Sequence, residues 1–320
     1  MVGSFEEKAQ EVKTKMKKLL LTYILTIGIC AVAGVSTGII LKKTIGPIDE
    51  TYPPGFDPKE FSPDVDAIWK KYEALSDKSI NGVKSFSDAD VVNVSLEKFR
   101  RCENCYSYSV GDAKTIVTQT IRNAQIKNGE EYYEDQISYS SMVALAKRSY
   151  QHGKDGPIIV HDGSPRGAED ASFPESPTKT YEDKQDYKDF LGKTLDEMFI
   201  YVISDKTTID SSRTTRGDDV VIKMNLNPNL STFYYKTQML NLSGLSNLPP
   251  FEEVKLTYTL GKDLVLKHLS IDETFTATKE GIPVPAKTNN VIDIYYHADE
   301  YLKIPSWNEQ FDFSIKNKEA

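Results

Sequence analysis

Two cysteines three positions apart form a compact reactive motif, Cys102-Glu103-Asn104-Cys105. A redox-active pair needs its first thiol at a helix N-terminus, where the helix dipole lowers the thiol pKa. Here a predicted helix ends at the motif and a strand follows, which is the reverse order. Outside the cytoplasm a close pair of cysteines oxidises, so the motif predicts a local structural disulfide between Cys102 and Cys105. Reduced thiols and an oxidoreductase are the alternatives. A zinc site needs about four ligands, and no histidine pair lies nearby.

Glu273 is a second candidate, because strict alternation places it on the same strand face as Leu269, Ile271 and Phe275. A carboxylate on the apolar side of a sheet must be paired or must face a polar group of a ligand. Lys267 has the same parity, so an internal ion pair, or a bulge that turns both side chains outward, is the structural alternative. We take Glu273 and its three apolar neighbours as candidate ligand-binding residues.

Three polar side chains, His152, His161 and Asp162, lie at the two ends of a short apolar strand. A cation site could use them, but hairpin ends collect such residues for reasons of turn chemistry. No nucleophile elbow, HExxH, P-loop or dinucleotide-binding glycine pattern occurs in the sequence. The sequence therefore predicts no cofactor, no metal and no enzymatic activity. An enzyme whose histidines or acids, such as His161, Asp162 and Glu273, converge on one cleft is the alternative.

The N-terminal part contains an uncharged run at residues 19–41, with lysines on both sides. At helical rise this run reaches about 34 Å, enough to cross a hydrocarbon core of about 30 Å. Lysines are more frequent before the run than after it, which predicts a cytoplasmic tail at residues 1–18 and an exterior C-terminal region. Gly34 and Gly38 have the spacing of a helix-packing motif. The predicted location is the cell membrane, with a single pass.

A cleaved signal peptide is the competing interpretation of this segment, because Ala31-Val32-Ala33 has the small-x-small form of a cleavage site. The apolar run continues for a full span beyond that point, which favours an uncleaved anchor. Lipid attachment at Cys30 would need a small residue directly before the cysteine, and Ile29 stands there.

The chain is acidic, with 39 basic and 47 acidic residues among 320 and a net charge of −8. Five of the basic residues lie in the predicted cytoplasmic tail, so the exterior region is more acidic than the whole. Binding to nucleic acid needs a basic patch that releases counterions. Nucleic acid is therefore not an expected partner. The uncharged run predicts the membrane as a partner, and a hydrophobic ligand or an envelope protein is expected in the exterior region.

Periodicity divides the remaining chain. A proline-rich spacer at residues 42–63 precedes a first helix-plus-meander half at 64–161, a polar flexible loop at 162–180, a second half at 181–310 and a tail at 311–320. Ser87 is a predicted helix cap, Asn128-Gly129 a hairpin turn, and Asn289-Asn290 a break between two strands. The fold class is α+β, with antiparallel curved sheet, inserted helices and two similar halves.

The strand series VKLTYTLGKDLVLKHLSIDETFTATKEG (254–281) and VIDIYYH (291–297), with the helix PNLSTFYYKTQML (228–240) before them, resembles the LolA-like and LppX-like curved half-barrels. The resemblance implies a concave apolar surface that binds a lipid or an acylated ligand. The uncleaved anchor and the loop at 162–180 depart from that pattern. The expected function is a membrane-anchored binding or envelope-assembly protein. A structural or sensory partner of other membrane proteins is the alternative.

Overall fold

The computed structural model describes residues 56–115, 118–139, 144–165, 171–243, 245, 247–279, 282–296 and 303–311. The predicted tail at 1–18, the predicted span at 19–41 with Gly34 and Gly38, and most of the spacer lie outside these ranges. Among the helices that the model does describe, none combines the length and the apolar character needed to cross a membrane.

A single antiparallel sheet of 12 strands forms the centre of the fold. The strands are β1 Asn104–Lys114, β2 Thr118–Asn128, β3 Glu131–Tyr139, β4 Ala144–His152, β5 Ile158–Pro165, β6 Ala171–Ser172, β7 Lys179–Tyr181, β8 Thr208–Arg216, β9 Asp219–Leu226, β10 Phe251–Gly261, β11 Leu266–Lys279 and β12 Ile282–Tyr296. Their spatial order is β6-β5-β4-β3-β2-β1-β12-β11-β10-β9-β8, and β7 pairs with β5.

The first and the last long strands of the chain are neighbours, since β1 pairs along its length with β12. The strands β1–β5 and β8–β12 are two meanders, each running away from this shared seam. The predicted α+β class with an antiparallel sheet is therefore confirmed, and the two predicted halves are two wings of one sheet. The hairpin at Asn128-Gly129 joins β2 to β3 as expected, with Gly129 at a φ of 60°.

Within the described ranges, four α-helices accompany the sheet: α1 Val65–Glu73, α2 Asp88–Arg101, α3 Lys184–Leu191 and α4 Phe233–Ser243. Helix α2 begins as the sequence predicts, because the Ser87 hydroxyl accepts a hydrogen bond from the Asp90 amide at 3.1 Å. Helix α3 ends at Gly192, whose φ of 76° is the left-handed conformation that glycine adopts most readily.

The face of the sheet that carries Leu269, Ile271, Glu273 and Phe275 is called the inner face. On β9–β12 this face is apolar and joins the main core with α2, whose Val91, Val92 and Val94 are fully buried; these strands also contribute buried Val220, Ile222, Met224, Leu256, Tyr258, Leu266 and Ile292. Across the seam, on β1–β4, the same face carries buried polar residues: Ser107, Ser109, Gln125, Lys127, Glu134, Lys147, Ser149 and Gln151.

Two predicted irregular segments are partly strand. The predicted loop at 162–180 contains the end of β5, all of β6 and the start of β7. The predicted break at Asn289-Asn290 is wrong, because β12 continues through both residues. Their side chains bond across the sheet instead of forming a turn: Asn289 Nδ2 donates to Asp272 Oδ1 at 2.7 Å, and Asn290 Oδ1 accepts from Ser109 Oγ at 2.7 Å.

The opposite, outer face of β1–β4 is covered by residues 303–311. Arg148, which is 1% exposed, forms two hydrogen bonds with the Asp135 carboxylate at 2.9 and 2.7 Å. Its second terminal nitrogen donates to the carbonyl oxygens of Ser306 at 2.8 Å and Glu309 at 2.6 Å. Phe311 stacks beside the aromatic rings of this face. Arg148 thus fastens the C-terminal segment to the sheet.

Replacing Arg148 by Met should lower the free energy of unfolding by about 3–5 kcal/mol, because the buried Asp135 carboxylate loses its partner. Urea unfolding of the full chain measures this loss, and proteolysis should release the C-terminal segment early. The additional change Asp135→Leu should recover part of the loss, since it removes the unpaired charge. The matched control is Arg216→Met, an exposed arginine of β8, for which we expect a change below about 0.5 kcal/mol. An equal loss in both variants would contradict this role of Arg148.

Candidate functional site

A cavity of about 370 Å³ lies against the inner face at the middle of the sheet, where β1, β2 and β3 meet β12 and β11. Helix α4 and the segment after α3, residues 193–201 (the covering segment), provide most of the other lining residues, and β4 adds Leu145. Small-molecule sites in proteins usually have volumes of about 300–1,000 Å³, so the cavity has room for a ligand of modest size.

The cavity has one polar and one apolar wall. The strands β1–β3 and β12 contribute mostly hydroxyl and amide side chains: Ser107, Ser109, Gln119, Asn123, Gln125, Gln136, Ser138, Thr288, Asn289 and Asn290. Most apolar groups come from α4, from residues 193–201 and from β11 and β12: Met198, Phe199, Ile200, Tyr201, Tyr235, Met239, Ile271, Phe275 and Ile292. Strands β2–β4 add Ile121, Ile137 and Leu145. The rings of Tyr201 and Tyr235 pack against each other at 5.5 Å. Such a cavity can take up an apolar group while offering hydrogen bonds along one side.

Polar side chains of the strands hold the covering segment in place. The Gln125 side-chain amide donates to the backbone carbonyls of Leu195 and Glu197, the latter at 3.1 Å. Glu134 Oε1 accepts hydrogen bonds from Lys193 Nζ at 2.8 Å and from Asn123 Nδ2 at 2.7 Å. Buried polar groups must find partners, and here those partners fix the segment against the sheet.

Glu273 lies on the inner face of β11 and lines the cavity, with its side chain 3% exposed. Thr288 Oγ1 donates to its Oε2 atom at 2.6 Å. Among the residues that the model describes, none donates a hydrogen bond to the other oxygen, Oε1. Burial raises the pKa of Glu273 to about 7, and the Thr288 hydrogen bond opposes that rise in part. The carboxyl group is therefore buried, directed at the cavity and only half bonded.

The predicted alternative of an ion pair between Glu273 and Lys267 is wrong. The register of β11 against β10 shifts between Leu266 and His268, which turns Lys267 to the opposite face. Lys267 Nζ there donates to Asp219 Oδ1 at 2.8 Å. A bulge is thus present, but it turns Lys267 outward and leaves Glu273 inside.

The other candidate residues differ in whether they line the cavity. Ile271 and Phe275 line the cavity beside Glu273, whereas Leu269 is fully buried in the main core and is not a lining residue. His161 and Asp162 do not line it either. His161 Nδ1 is 2.9 Å from the Pro174 carbonyl oxygen, and Asp162 bonds to Thr178. The convergence of histidines and acids that an enzyme interpretation requires is not found here.

Cys102 and Cys105 are both thiols in the structure. Cys105 is buried on β1, beside Lys127 of β2, and a hydrogen bond with the Cys102 side chain, together with burial, raises the pKa of its thiol. Lys127 Nζ donates to the carbonyl oxygens of Phe99 and Asp196, each at 2.7 Å, and burial lowers the pKa of Lys127 to about 8. The disulfide between the two cysteines stays a prediction, and the intact mass of the unreduced chain tests it.

Sequence reasoning missed the polar wall. The signal was present, since Ser107 and Ser109 alternate with tyrosines on β1, and Asn123 and Gln125 alternate on β2. The covering segment at 193–201 has no comparable signal. In the described ranges, no group of three or more histidine, cysteine, aspartate or glutamate side chains is placed to hold a metal ion.

Comparisons with known proteins leave the family open. No protein-family model and no curated protein matches the chain. The N-terminal β-barrel domain of Pseudomonas aeruginosa OprF matches at 5% identity and a TM-score of 0.18, over 60% of this chain and 98% of that one. Rv2717c from M. tuberculosis matches at 7% identity and a TM-score of 0.20, over 65% of this chain and 97% of that one. Likenesses of this size carry no argument about fold or function, and the resemblance to LolA-like and LppX-like carriers stays a prediction.

Replacing Glu273 by Gln should stabilise the chain at pH 8 and leave its stability at pH 4 nearly unchanged. The folded state keeps the Glu273 proton up to a pKa of about 7, while the unfolded chain loses it near 4.5. The free energy of unfolding of the wild type therefore falls as pH rises through this window, by about 3 kcal/mol. Glu273→Gln has no such carboxyl group, so its free energy of unfolding should not fall through this pH range. Urea unfolding of both proteins between pH 4 and pH 8 measures the difference.

The matched control for that experiment is Glu252→Gln, an exposed glutamate on the neighbouring strand β10. Its stability relative to the wild type should be the same at both pH values. A Glu273→Gln difference that is constant with pH would show that the Glu273 carboxyl is not buried as the structure has it.

Proposed function

We propose that this chain is a binding protein that holds an amphipathic ligand in the cavity between the sheet and residues 193–201. The observation that carries the proposal is the division of the cavity into a mostly polar wall, from β1–β3 and part of β12, and a mostly apolar wall, from residues 193–201, α4 and β11. Apolar burial provides most of the binding free energy in such sites, and a small number of placed polar groups fix the orientation.

The apolar wall suits an alkyl or acyl chain. Met198, Phe199 and Met239 supply flexible or flat apolar surface, and Phe275 and Ile271 continue it on the sheet. Methionine side chains adapt to ligands of variable shape. This composition supports a ligand with a hydrophobic tail, which would lie between the covering segment and the sheet.

The uncharged run at residues 19–41 supports a location at the membrane for this binding function. An anchored chain whose binding region stands outside the membrane would meet amphipathic molecules of the envelope at short range. We therefore propose an anchored extracytoplasmic binding or envelope-assembly role. The enzyme alternative has no comparable support, because His161 and Asp162 do not line the cavity.

Replacing Ala113 by Phe should block ligand binding. Ala113 lines the cavity on β1, in the same row of the sheet as Thr288 and Glu273. A large ring there occupies space that the ligand needs. Native mass spectrometry of the full chain, released from a non-ionic detergent, measures the retention of dodecanol as a probe. We expect at least a tenfold loss, about 1.4 kcal/mol or more.

The matched control is Lys114→Phe, the next residue, which is exposed on the opposite face. It should retain dodecanol within about twofold of the wild type, because it adds the same ring outside the cavity. Met239→Trp fills the cavity from α4 and repeats the test if Ala113→Phe does not fold. Unchanged dodecanol retention in a folded cavity-filling variant would rule out the cavity as the binding site.

A further inference from the structure

We infer that the ligand's head group is a protonated amine, which the Oε1 atom of Glu273 binds inside the cavity. The inference rests on the proposed binding function and adds to it the chemical class of the ligand. It follows from three observations on the cavity: the half-bonded carboxyl group, the charges of the lining residues, and the use of the lining amide donors.

The Glu273 carboxyl group is built into the cavity with one bonding position open. Its side chain is 97% buried, Thr288 bonds Oε2, and none of the residues in the described ranges bonds Oε1. A buried carboxylate is costly to leave without a partner. A ligand that donates to Oε1 completes the bonding of this group, so the open position marks where a donor belongs.

The charges around the cavity disfavour an anionic head group. Three charged residues border it, Asp112, Lys193 and Glu273, but Asp112 alternates with the inner-face residues Gly111 and Ala113 and is exposed on the outer face of β1. The Lys193 ammonium group is bound by Glu134 at 2.8 Å, so its charge is already compensated. The Glu273 carboxylate then remains, with no uncompensated cation among the described lining residues. A fatty-acid carboxylate or a phosphate would be repelled there, whereas an ammonium group would be attracted.

The lining amides point to the same conclusion. Four of their NH₂ groups already donate to acceptors of the protein: Gln119 to Ser138, Asn123 to Glu134, Gln125 to backbone carbonyls, and Asn289 to Asp272. These four amides thus direct a donor to the protein, while the Glu273 oxygen has an open position for a donor. A charged ammonium donor forms a stronger hydrogen bond with a carboxylate than a neutral hydroxyl donor does. This difference favours an amine head group over an alcohol.

Three probes with the same twelve-carbon chain separate the head groups: dodecylamine, dodecanol and dodecanoate. The full chain in non-ionic detergent is mixed with each probe at pH 8, and native mass spectrometry measures the retained fraction. For the wild type we expect dodecylamine to bind at least tenfold more tightly than dodecanol, and dodecanoate to bind most weakly. Glu273→Gln should bring dodecylamine down to the dodecanol level and leave dodecanol within about twofold of the wild-type value.

The matched control is Asp112→Asn, which removes an exposed carboxylate on the outer face of β1 and should leave the amine preference within about threefold of the wild type. Asp112 is exposed and lies at the edge of the cavity, so its charge is screened by water. Equal loss in both variants would indicate general attraction to an acidic surface and would overturn the assignment to Glu273.

The outcomes separate this inference from the proposed function. If all three probes bind the wild type equally, or if Glu273→Gln keeps the amine preference, the inference is wrong, and loss of dodecanol in Ala113→Phe still supports the cavity as the site. If dodecanol retention is unaffected by Ala113→Phe, the proposed function itself is wrong, whatever the head-group preference. A tenfold amine preference that Glu273→Gln abolishes supports both.

Discussion

The polar inner face of β1–β4 is the constraint on which the rest of the structure depends. Strands with both faces covered usually bury apolar side chains on both, but here one buried face carries serines, amides and charges. Each of these groups needs a partner inside the protein. Gln125 and Lys127 find backbone carbonyls of residues 195–197, and Glu134 finds Lys193. Hydrogen bonds to the strands therefore position the covering segment, in addition to the apolar packing of Leu195, Met198 and Phe199.

This mode of attachment explains why a cavity is present beside the seam. An apolar cover packs closely against an apolar face, because every ångström of gap loses dispersion contacts. A covering segment that is held by hydrogen bonds contacts the sheet where those bonds form. The space between the segment and the sheet, away from these bonds, is left unfilled. Beyond Gln125 the polar wall continues to Ser109 and Asn290, while the cover presents Phe199 and Tyr201. The cavity lies between these two unlike surfaces.

The sequence predicted the parts of the fold whose pattern is local. The capping serine Ser87, the Asn128-Gly129 hairpin and the alternation along β11 each depend on neighbours a few residues away. The failures depend on distant partners. Asn289-Asn290 resembles a turn, and it continues a strand because Ser109 and Asp272 bond its side chains. Alternation on β1 could not show which face is polar and buried, since the outer face is covered by a segment from the other end of the chain.

Glu273 shows both what such a pattern can reveal and where it stops. Strict alternation correctly placed its carboxyl group on the inner face with Ile271 and Phe275, and physical chemistry required a partner for it. Alternation alone could not predict the bulge that turns Lys267 to the outer face. A single added residue in a strand reverses the face of the side chains that precede it. That bulge leaves the carboxyl group half bonded at the cavity, at a cost in stability at neutral pH. A buried polar group that lowers stability until a donor binds it distinguishes a binding site from a core, where polar groups are bonded within the protein. This contrast is the physical basis for the binding site that we propose at this part of the sheet.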